Sequence, residues 1–327
     1  MRILCLHRGL QQPGGSETFM LAIVAELYRL GHQVFVITLK HSNYIDAFAA
    51  YCVFLDPTSD LKSMKFDAVF SMHRQMGVFA RAAGGYKTMI SNGILPIALA
   101  IPGFHRYVSV SPEVHHANKL AGFDSDIIYN GINPDIFFSI REIHSKLRNV
   151  LMITNHVPGV INTVHAACSL LGVGFLHIGG TGWKLNVADF INKADLVVSL
   201  GRGCYEAMAC ERNVIVYDYR GGDGFLTPAS YLIDRQRNCS GRTFKFQYTV
   251  EQLTNQLRQY DPSLGAPLRN LILKHQSIEP VVESLLEPVI KYHSKPVRKK
   301  PARAKKSSTG GKKRQVKKTQ KPKSKRS

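Results

Sequence analysis

Ala194-Asp195-Leu196-Val197-Val198-Ser199-Leu200-Gly201-Arg202-Gly203-Cys204-Tyr205-Glu206-Ala207-Met208-Ala209-Cys210 is the stretch on which the fold turns. Residues 196–200 form a short apolar run that ends at a glycine, and residues 204–210 carry a helical pattern. The segment therefore reads as strand, glycine turn, helix. Asn213-Val214-Ile215-Val216-Tyr217-Asp218 follows as a second apolar run, and Arg220-Gly221-Gly222-Asp223-Gly224 follows that as a loop. Short apolar strands alternating with helices are the mark of βαβ units, whose strands are covered on both faces of a parallel sheet.

The same alternation extends outward in both directions. At the start, residues 3–6 form a strand, Gly14-Gly15-Ser16-Glu17 a turn, and residues 19–30 a helix with Phe19, Ile23, Leu27 and Leu30 on one face. Gly31 ends that helix and residues 34–38 make the next strand. Further strands are expected at 53–55, 68–71, 88–91 and 107–110. After Ile127-Ile128-Tyr129-Asn130-Gly131 the pattern restarts, with strands at 150–154, 174–178, 196–200 and 214–218 and helices at 160–171 and 204–210. An α/β chain of two sequential Rossmann-like parallel-sheet domains results, 1–140 and 141–276. Residues 277–293 offer a terminal helix with an apolar stripe of Ile278, Val281, Val282, Leu285, Leu286, Val289 and Ile290. Pro288 is expected to kink it. The pattern leaves open whether this helix packs on its own domain or crosses to the first.

Charge separates the chain into two parts. Of the formal net charge of +20, residues 294–327 carry sixteen Lys and Arg and no acid, which leaves the rest of the chain only mildly basic. Those basic residues are interleaved with Pro, Ser, Gly, Thr and Gln, so the segment cannot bury a core and is expected to stay disordered. Such a tail binds polyanions through counterion release, with DNA, RNA, anionic lipid and acidic polysaccharide all eligible over 295–326. The six cysteines are scattered without a CxxC pair, as expected of reduced structural thiols. The chain opens directly on a strand with no signal-peptide pattern, and its longest apolar stretch, 93–104, is too short for a bilayer. A cytoplasmic protein is expected, with peripheral membrane attachment or nuclear entry open through the tail.

Residues 194–210, 213–218 and 220–224 closely resemble the donor-site stretch of glycosyltransferase family 4. Gly14-Gly15-Ser16-Glu17 is similar to that family's first glycine-rich loop. Ser109-Val110-Ser111 and Asn130-Gly131-Ile132-Asn133 resemble its strand-end serine and its Asn-Gly-hydrophobic segment near the interdomain crossing. The resemblance touches most of residues 1–293 in the expected order. It implies a GT-B architecture, two Rossmann-like domains facing a cleft, with the acceptor side first and the nucleotide-sugar side second. It further implies transfer of a hexose from a nucleotide diphosphate sugar to a glycan, lipid or small-molecule hydroxyl, with retention of configuration.

The residue chemistry fits that expectation. A glycine turn opening into a helix presents free N–H groups and a positive dipole end to a diphosphate, so Gly201 and Gly203 are candidate donor-binding residues. Arg202 adds a forked cation suited to phosphate. Glu206 stands where the family's second conserved glutamate would accept from ribose hydroxyls; a carboxylate near a helix start is also favoured by the dipole alone. Gly14 and Gly15 allow close backbone approach to the donor phosphate or the acceptor. Glu17 is open to a capping reading. His73 resembles the histidine that faces the donor sugar, with an ordinary core or surface histidine as the alternative. Asp223 is expected to face the nucleotide or sugar, or else to form a turn between glycines.

Two departures stand out. The position eight residues before Glu206 is Val198, where the family has its first glutamate, and residues 152–157 lack the family's Arg and Lys. Diphosphate charge then falls to Arg202, with Arg220 or Lys184 in support. No paired acidic motif is placed for a metal, so metal-independent chemistry without a cofactor is expected. The competing functions are a weakened nucleotide-sugar-binding protein and a polyanion- or nucleic-acid-binding protein acting through its tail. An NAD enzyme is disfavoured because no GxGxxG follows the first strand.

Overall fold

The computed structural model describes residues 1–156 and 158–294; the expected disorder of the basic tail from residue 295 onward lies outside them. β1 (Arg2–Leu10) passes through Gly14 into α1 (Gly15–Arg29), whose Phe19, Ile23 and Leu27 are buried. Gly31, at φ 78°, then turns the chain into β2 (Gln33–His41). β3 (Val53–Phe54), β4 (Ala68–Met72), β5 (Tyr86–Ser91), β6 (Arg106–Ser109) and β7 (Asp126–Ile127) follow, with α2 (Gly77–Ala82) and α3 (Pro112–Leu120) among them. The seven strands are all parallel, in the order β3-β2-β1-β4-β5-β6-β7. Strand order reverses between β1 and β4, and such a switch point opens a crevice at the carboxyl ends of the strands. Gly15, expected in a turn, is instead the first residue of α1.

The second sheet repeats the logic. β8 (Asn149–Ile153), α4 (Pro158–Leu171), β9 (Gly174–Ile178), α5 (Val187–Lys193), β10 (Leu196–Ser199), α6 (Arg202–Ala209) and β11 (Asn213–Asp218) alternate as strand and helix. Their strands run parallel in the order β11-β10-β8-β9. Residues 221–224, read as a loop, belong to a strand: β12 (Gly221–Phe225) pairs antiparallel with β11 at the sheet edge. Glycine is what permits it. Gly221 and Gly224 hold φ of 101° and 93°, and a Cβ on Gly222 would meet the Val216 carbonyl and the Tyr217 and Tyr248 rings.

α7 (Pro228–Asp234) and α8 (Val250–Leu257) each begin at a threonine whose side chain closes a capping box, Thr227 with Ser230 and Thr249 with Gln252. After α9 (Gly265–Gln276), α10 (Ile278–Ser294) runs through Pro288. The stripe Val281, Val282, Leu285, Leu286 and Val289 joins the core of the first sheet, beside Ile23, Leu27, Ile90 and Val108. The terminal helix therefore crosses to the first lobe. Burying five aliphatic side chains contributes on the order of 10 kcal/mol before the entropy of ordering is set against it. Arg106 adds a hydrogen bond from Nη1 to the Ser284 carbonyl, 2.6 Å.

Further links cross between the two sheets. Arg242 forks onto Glu113, Asn155 Nδ2 donates to the Pro13 carbonyl at 3.0 Å, and Asn130 Nδ2 donates to Asn238 Oδ1 at 3.0 Å. All six cysteines are free thiols, and burial pushes them up, Cys168 to about 12. They behave as packing residues rather than nucleophiles. None of the described helices is long and apolar enough to cross a membrane.

Candidate active site

The carboxyl ends of β8, β9, β10 and β11 face the loop after β1 across a cavity of about 290 Å³. Each wall follows from strand order. Pro13, Gly14, Gly15 and Thr18 come from the β1–α1 connection, Thr154, Asn155 and His156 follow β8, and Trp183 and Lys184 follow β9. Arg202, Gly203 and Glu206 come from α6, and Asp218 ends β11. Both glycine loops read from the sequence therefore open onto one crevice.

Arg202 is 4% and Glu206 5% exposed, and they face each other one helical turn apart. Arg202 Nε donates to Glu206 Oε1 at 2.9 Å, and Nη1 donates to the Gly131 carbonyl at 2.5 Å. Its Nη2 forms no hydrogen bond with a described residue, and Arg202 lines the cavity. Burial pulls the arginine down and pushes the glutamate up, and each partner's charge opposes the shift of the other. The two side chains are buried together, and their mutual attraction offsets part of the desolvation of each.

The glycine turn is built for close approach. Gly201 sits at φ 59°, ψ −126° as the residue before α6. Its own amide is occupied, donating to the Cys239 carbonyl at 2.7 Å, and it stands behind the wall rather than in it. The amides of Arg202 and Gly203 donate to no described residue and supply the free helix-start N–H groups. A Cβ on Gly203 would overlap Ser199 Oγ, which donates to the Ile153 carbonyl at 2.9 Å. Opposite, Gly179 holds φ 125°, and a Cβ there would overlap the Thr154 carbonyl.

The remaining expected residues divide. Gly14 and Gly15 line the cavity. His73 does not; it lines a neighbouring cavity of about 340 Å³ with His7, Arg8, Glu17 and Lys40. Asp223 lies in neither. It is buried in β12 at the sheet edge, with Oδ1 accepting from the Phe244 amide at 2.8 Å. Glu17 accepts from Ser16 Oγ at 2.9 Å and from its own first-turn amide, whereas Gly14 before α1 offers no capping side chain. Lys184 lines the crevice, whereas the Arg220 guanidinium lies 5.0 Å over its neighbour Tyr219.

Sequence reading missed the polar wall after β8 and the end of β11. Asp218 Oδ2 accepts from Thr154 Oγ1 at 2.7 Å, and His156 Nε2 stands 4.0 Å from the same oxygen. Asn155 ties the lobes, its Oδ1 accepting from Gly180 N at 2.8 Å while Nδ2 reaches Pro13. The available signal was positional. Residues just past a parallel strand's carboxyl end line the crevice whatever their type. Burial lowers the His156 imidazole, partly offset by Asp218, so the wall is hydrogen-bonding rather than cationic.

No protein-family profile matches the sequence, and no curated protein matches it. Solved structures do match. HepE of Anabaena, determined in complex with UDP and glucose, superposes with a TM-score of 0.63 at 14% identity, over 89% of this chain and 99% of that one. A glycosyltransferase of Rickettsia africae gives 0.63 at 14% identity, over 90% and 99%. WaaG, a glycosyltransferase involved in lipopolysaccharide biosynthesis, gives 0.55 at 12% identity, over 88% and 99%. At such identities the likeness is one of fold, and the chain shares with these glycosyltransferases the GT-B architecture of two Rossmann-like sheets about a crevice.

Proposed function

We propose that the chain is a glycosyltransferase that moves a hexose from a nucleotide diphosphate sugar to an acceptor hydroxyl with retention of configuration, in the manner of glycosyltransferase family 4. The observation that carries this reading is the convergence of Gly14-Gly15 and Arg202-Gly203 on one crevice, with a buried guanidinium and two free amides on its floor. A diphosphate placed there meets a helix start and an arginine fork. In the transfer, the acceptor oxygen bonds to the anomeric carbon while the bond from that carbon to the diphosphate oxygen breaks. The electron pair leaves with the diphosphate, which also takes up the hydroxyl proton. Charge grows on the leaving group, so preorganised donors at Arg202, Gly203 and Lys184 stabilise the transition state.

Glu206 is the residue we assign to the ribose hydroxyls through the oxygen not engaged by Arg202. The acids in the crevice, Glu206 and Asp218, each already accept a hydrogen bond, and we assign neither as a covalent nucleophile. The proposed chemistry uses no metal or cofactor. One observation favours a second reading, a protein that binds nucleotide sugars without turnover: Thr154, Asn155 and His156 line the β8 wall in the segment where glycosyltransferase family 4 has Arg and Lys. Release of nucleotide diphosphate from a panel of sugar donors decides between them. Release that needs an acceptor and is lost in Arg202→Met supports transfer, whereas donor binding without release supports the second reading. For the tail we propose polyanion contact, holding the enzyme at an anionic surface by ~1 kcal/mol per basic residue.

A further inference from the structure

The neighbouring cavity of about 340 Å³ lies at the carboxyl end of β1, and every residue lining it is polar, charged or glycine. It shares one wall with the donor crevice: Gln11, Gln12 and Glu17 line it, while Pro13, Gly14, Gly15 and Thr18, from the same loop and the first turn of α1, line the crevice. A hydroxyl held in this cavity stands one loop away from the donor.

Two histidines form its back. His7 is fully buried, and its Nδ1 accepts from the Gly9 amide at 3.2 Å, so a neutral ring carries its proton on Nε2, which has no partner among the described residues. The His73 ring meets it edge to face at 4.6 Å, and His73 Nδ1 is likewise buried and unpartnered. His73 holds φ 71° and ψ 138°, a strained backbone for a residue with a Cβ. Burial is the main cause lowering both rings, with His73 and then Arg8 adding to it at His7 and Arg8 adding to it at His73, which leaves His7 at about 3 and His73 at about 4. They are neutral polar groups at physiological pH, and the positive charge of the cavity comes from elsewhere. Arg8 follows His7 on β1, and Lys40 stands beside Gly9 on β2. Neither forms an ion pair with a described residue, although Glu17, lifted by burial, is the one acid in the lining.

We propose that this cavity is an anion-reading subsite, in which Arg8 and Lys40 select an acceptor that carries a phosphate or carboxylate beside its hydroxyl. The inference rests on the transferase reading only for the word acceptor; binding of the anion is testable by itself. Two unpaired cations over neutral imidazoles give a site that attracts an anion, and buried Nε2–H of His7 offers an oriented donor behind them.

The test uses the full chain saturated with whichever nucleotide diphosphate raises its melting temperature most, so that the donor crevice is filled. Glycerol, glycerol 3-phosphate and glycerate are then titrated calorimetrically. The phosphate and carboxylate probes are expected to bind and glycerol not, and the Arg8→Gln/Lys40→Gln variant is expected to lose about tenfold in anion affinity or more. Its nucleotide diphosphate affinity should stay within about twofold. Because both side chains are exposed, the melting temperature of the variant should be unchanged and reports that it is folded. Phosphate binding without glycerate binding narrows the class to phosphates. Equal binding of glycerol, or unchanged anion affinity in the variant, overturns the proposal. If no nucleotide diphosphate binds, the donor reading fails by itself, and the same anion titration on the free chain, with Arg202→Met as the control, still decides this one.

Discussion

Removing Arg202 should destabilise the chain in a pH-dependent way that replacing both partners does not. The Arg202 and Glu206 side chains are 3% and 6% exposed and meet at 2.9 Å. At an effective dielectric near 20 their gross attraction is about 6 kcal/mol, most of it offset by desolvation. Arg202→Met leaves Glu206 bare. The carboxyl escapes by taking a proton, so the penalty is capped by the cost of protonation, about 3 to 4 kcal/mol at pH 7 from an ordinary glutamate value and about 1 kcal/mol at pH 5. The sign follows directly. A carboxyl raised in the folded state holds a proton that the unfolded chain has lost, so stability falls as pH rises through that window. At roughly 2 to 4 °C per kcal/mol for a chain of this size, the melting temperature should drop by about 10 °C at pH 7 and a few degrees at pH 5. Arg202→Met/Glu206→Leu buries no bare charge and should recover most of the loss at both pH values, while showing no stabilisation by nucleotide diphosphate. Differential scanning fluorimetry at the two pH values, with and without ligand, measures all of this. A single-variant penalty that ignores pH, or a double variant still stabilised by ligand, would refute the reasoning.

Other consequences are separable from that pair. Gly179→Ala forces a Cβ into the Thr154 carbonyl at φ 125°, so a loss of about 2 kcal/mol and weaker donor binding are expected from melts and titration. A melt indistinguishable from the parent would count against the tight β8–β9 wall. The Asp234 carboxyl is pushed up to about 7 by burial, with Asp223 adding to it. Between about pH 4 and 7 the folded chain keeps this proton while the unfolded chain has lost it, so stability falls as pH rises there, and Asp234→Asn should stabilise by on the order of 2 kcal/mol at pH 8, after allowance for solvent screening, and little at pH 4. An Asn variant with the parent's pH profile would contradict this. Deleting residues 295–327 should abolish salt-dependent retention on heparin or anionic vesicles and leave nucleotide diphosphate affinity intact. Retention that survives the deletion would place the polyanion site on the folded lobes.

The legible parts of the sequence were those where one physical demand dominates. Strands buried on both faces read as bare apolar runs, so β4, β8, β10 and β11 fell within a residue or so of expectation. Gly201-Arg202-Gly203 was legible because the turn needs a positive φ at Gly201 and no Cβ at Gly203. β12 was not, since Gly221-Gly222-Asp223-Gly224 has turn chemistry, and what makes glycine the strand residue there is positive φ at Gly221 and Gly224 and crowding of Gly222 by the Val216 carbonyl, Tyr217 and Tyr248. That misreading carried Asp223 into the site. Thr154, Asn155, His156 and Asp218 were invisible for a different reason: their role comes from standing past strand ends, and neither their types nor their spacing announces it. His7 stood just past the apolar run 3–6, and the observed β1 extends through it to Leu10; a polar residue at the carboxyl end of such a run is where a crevice begins.

The most direct measurement of the central claim is a crystal structure of the full chain soaked with uridine or guanosine diphosphate. The account predicts the diphosphate between Gly14-Gly15 and the start of α6, within hydrogen-bond distance of the Arg202 guanidinium and the Gly203 amide, with its ribose toward Glu206. A nucleotide seated anywhere else, or no nucleotide at any concentration that the melts show to be saturating, would contradict it.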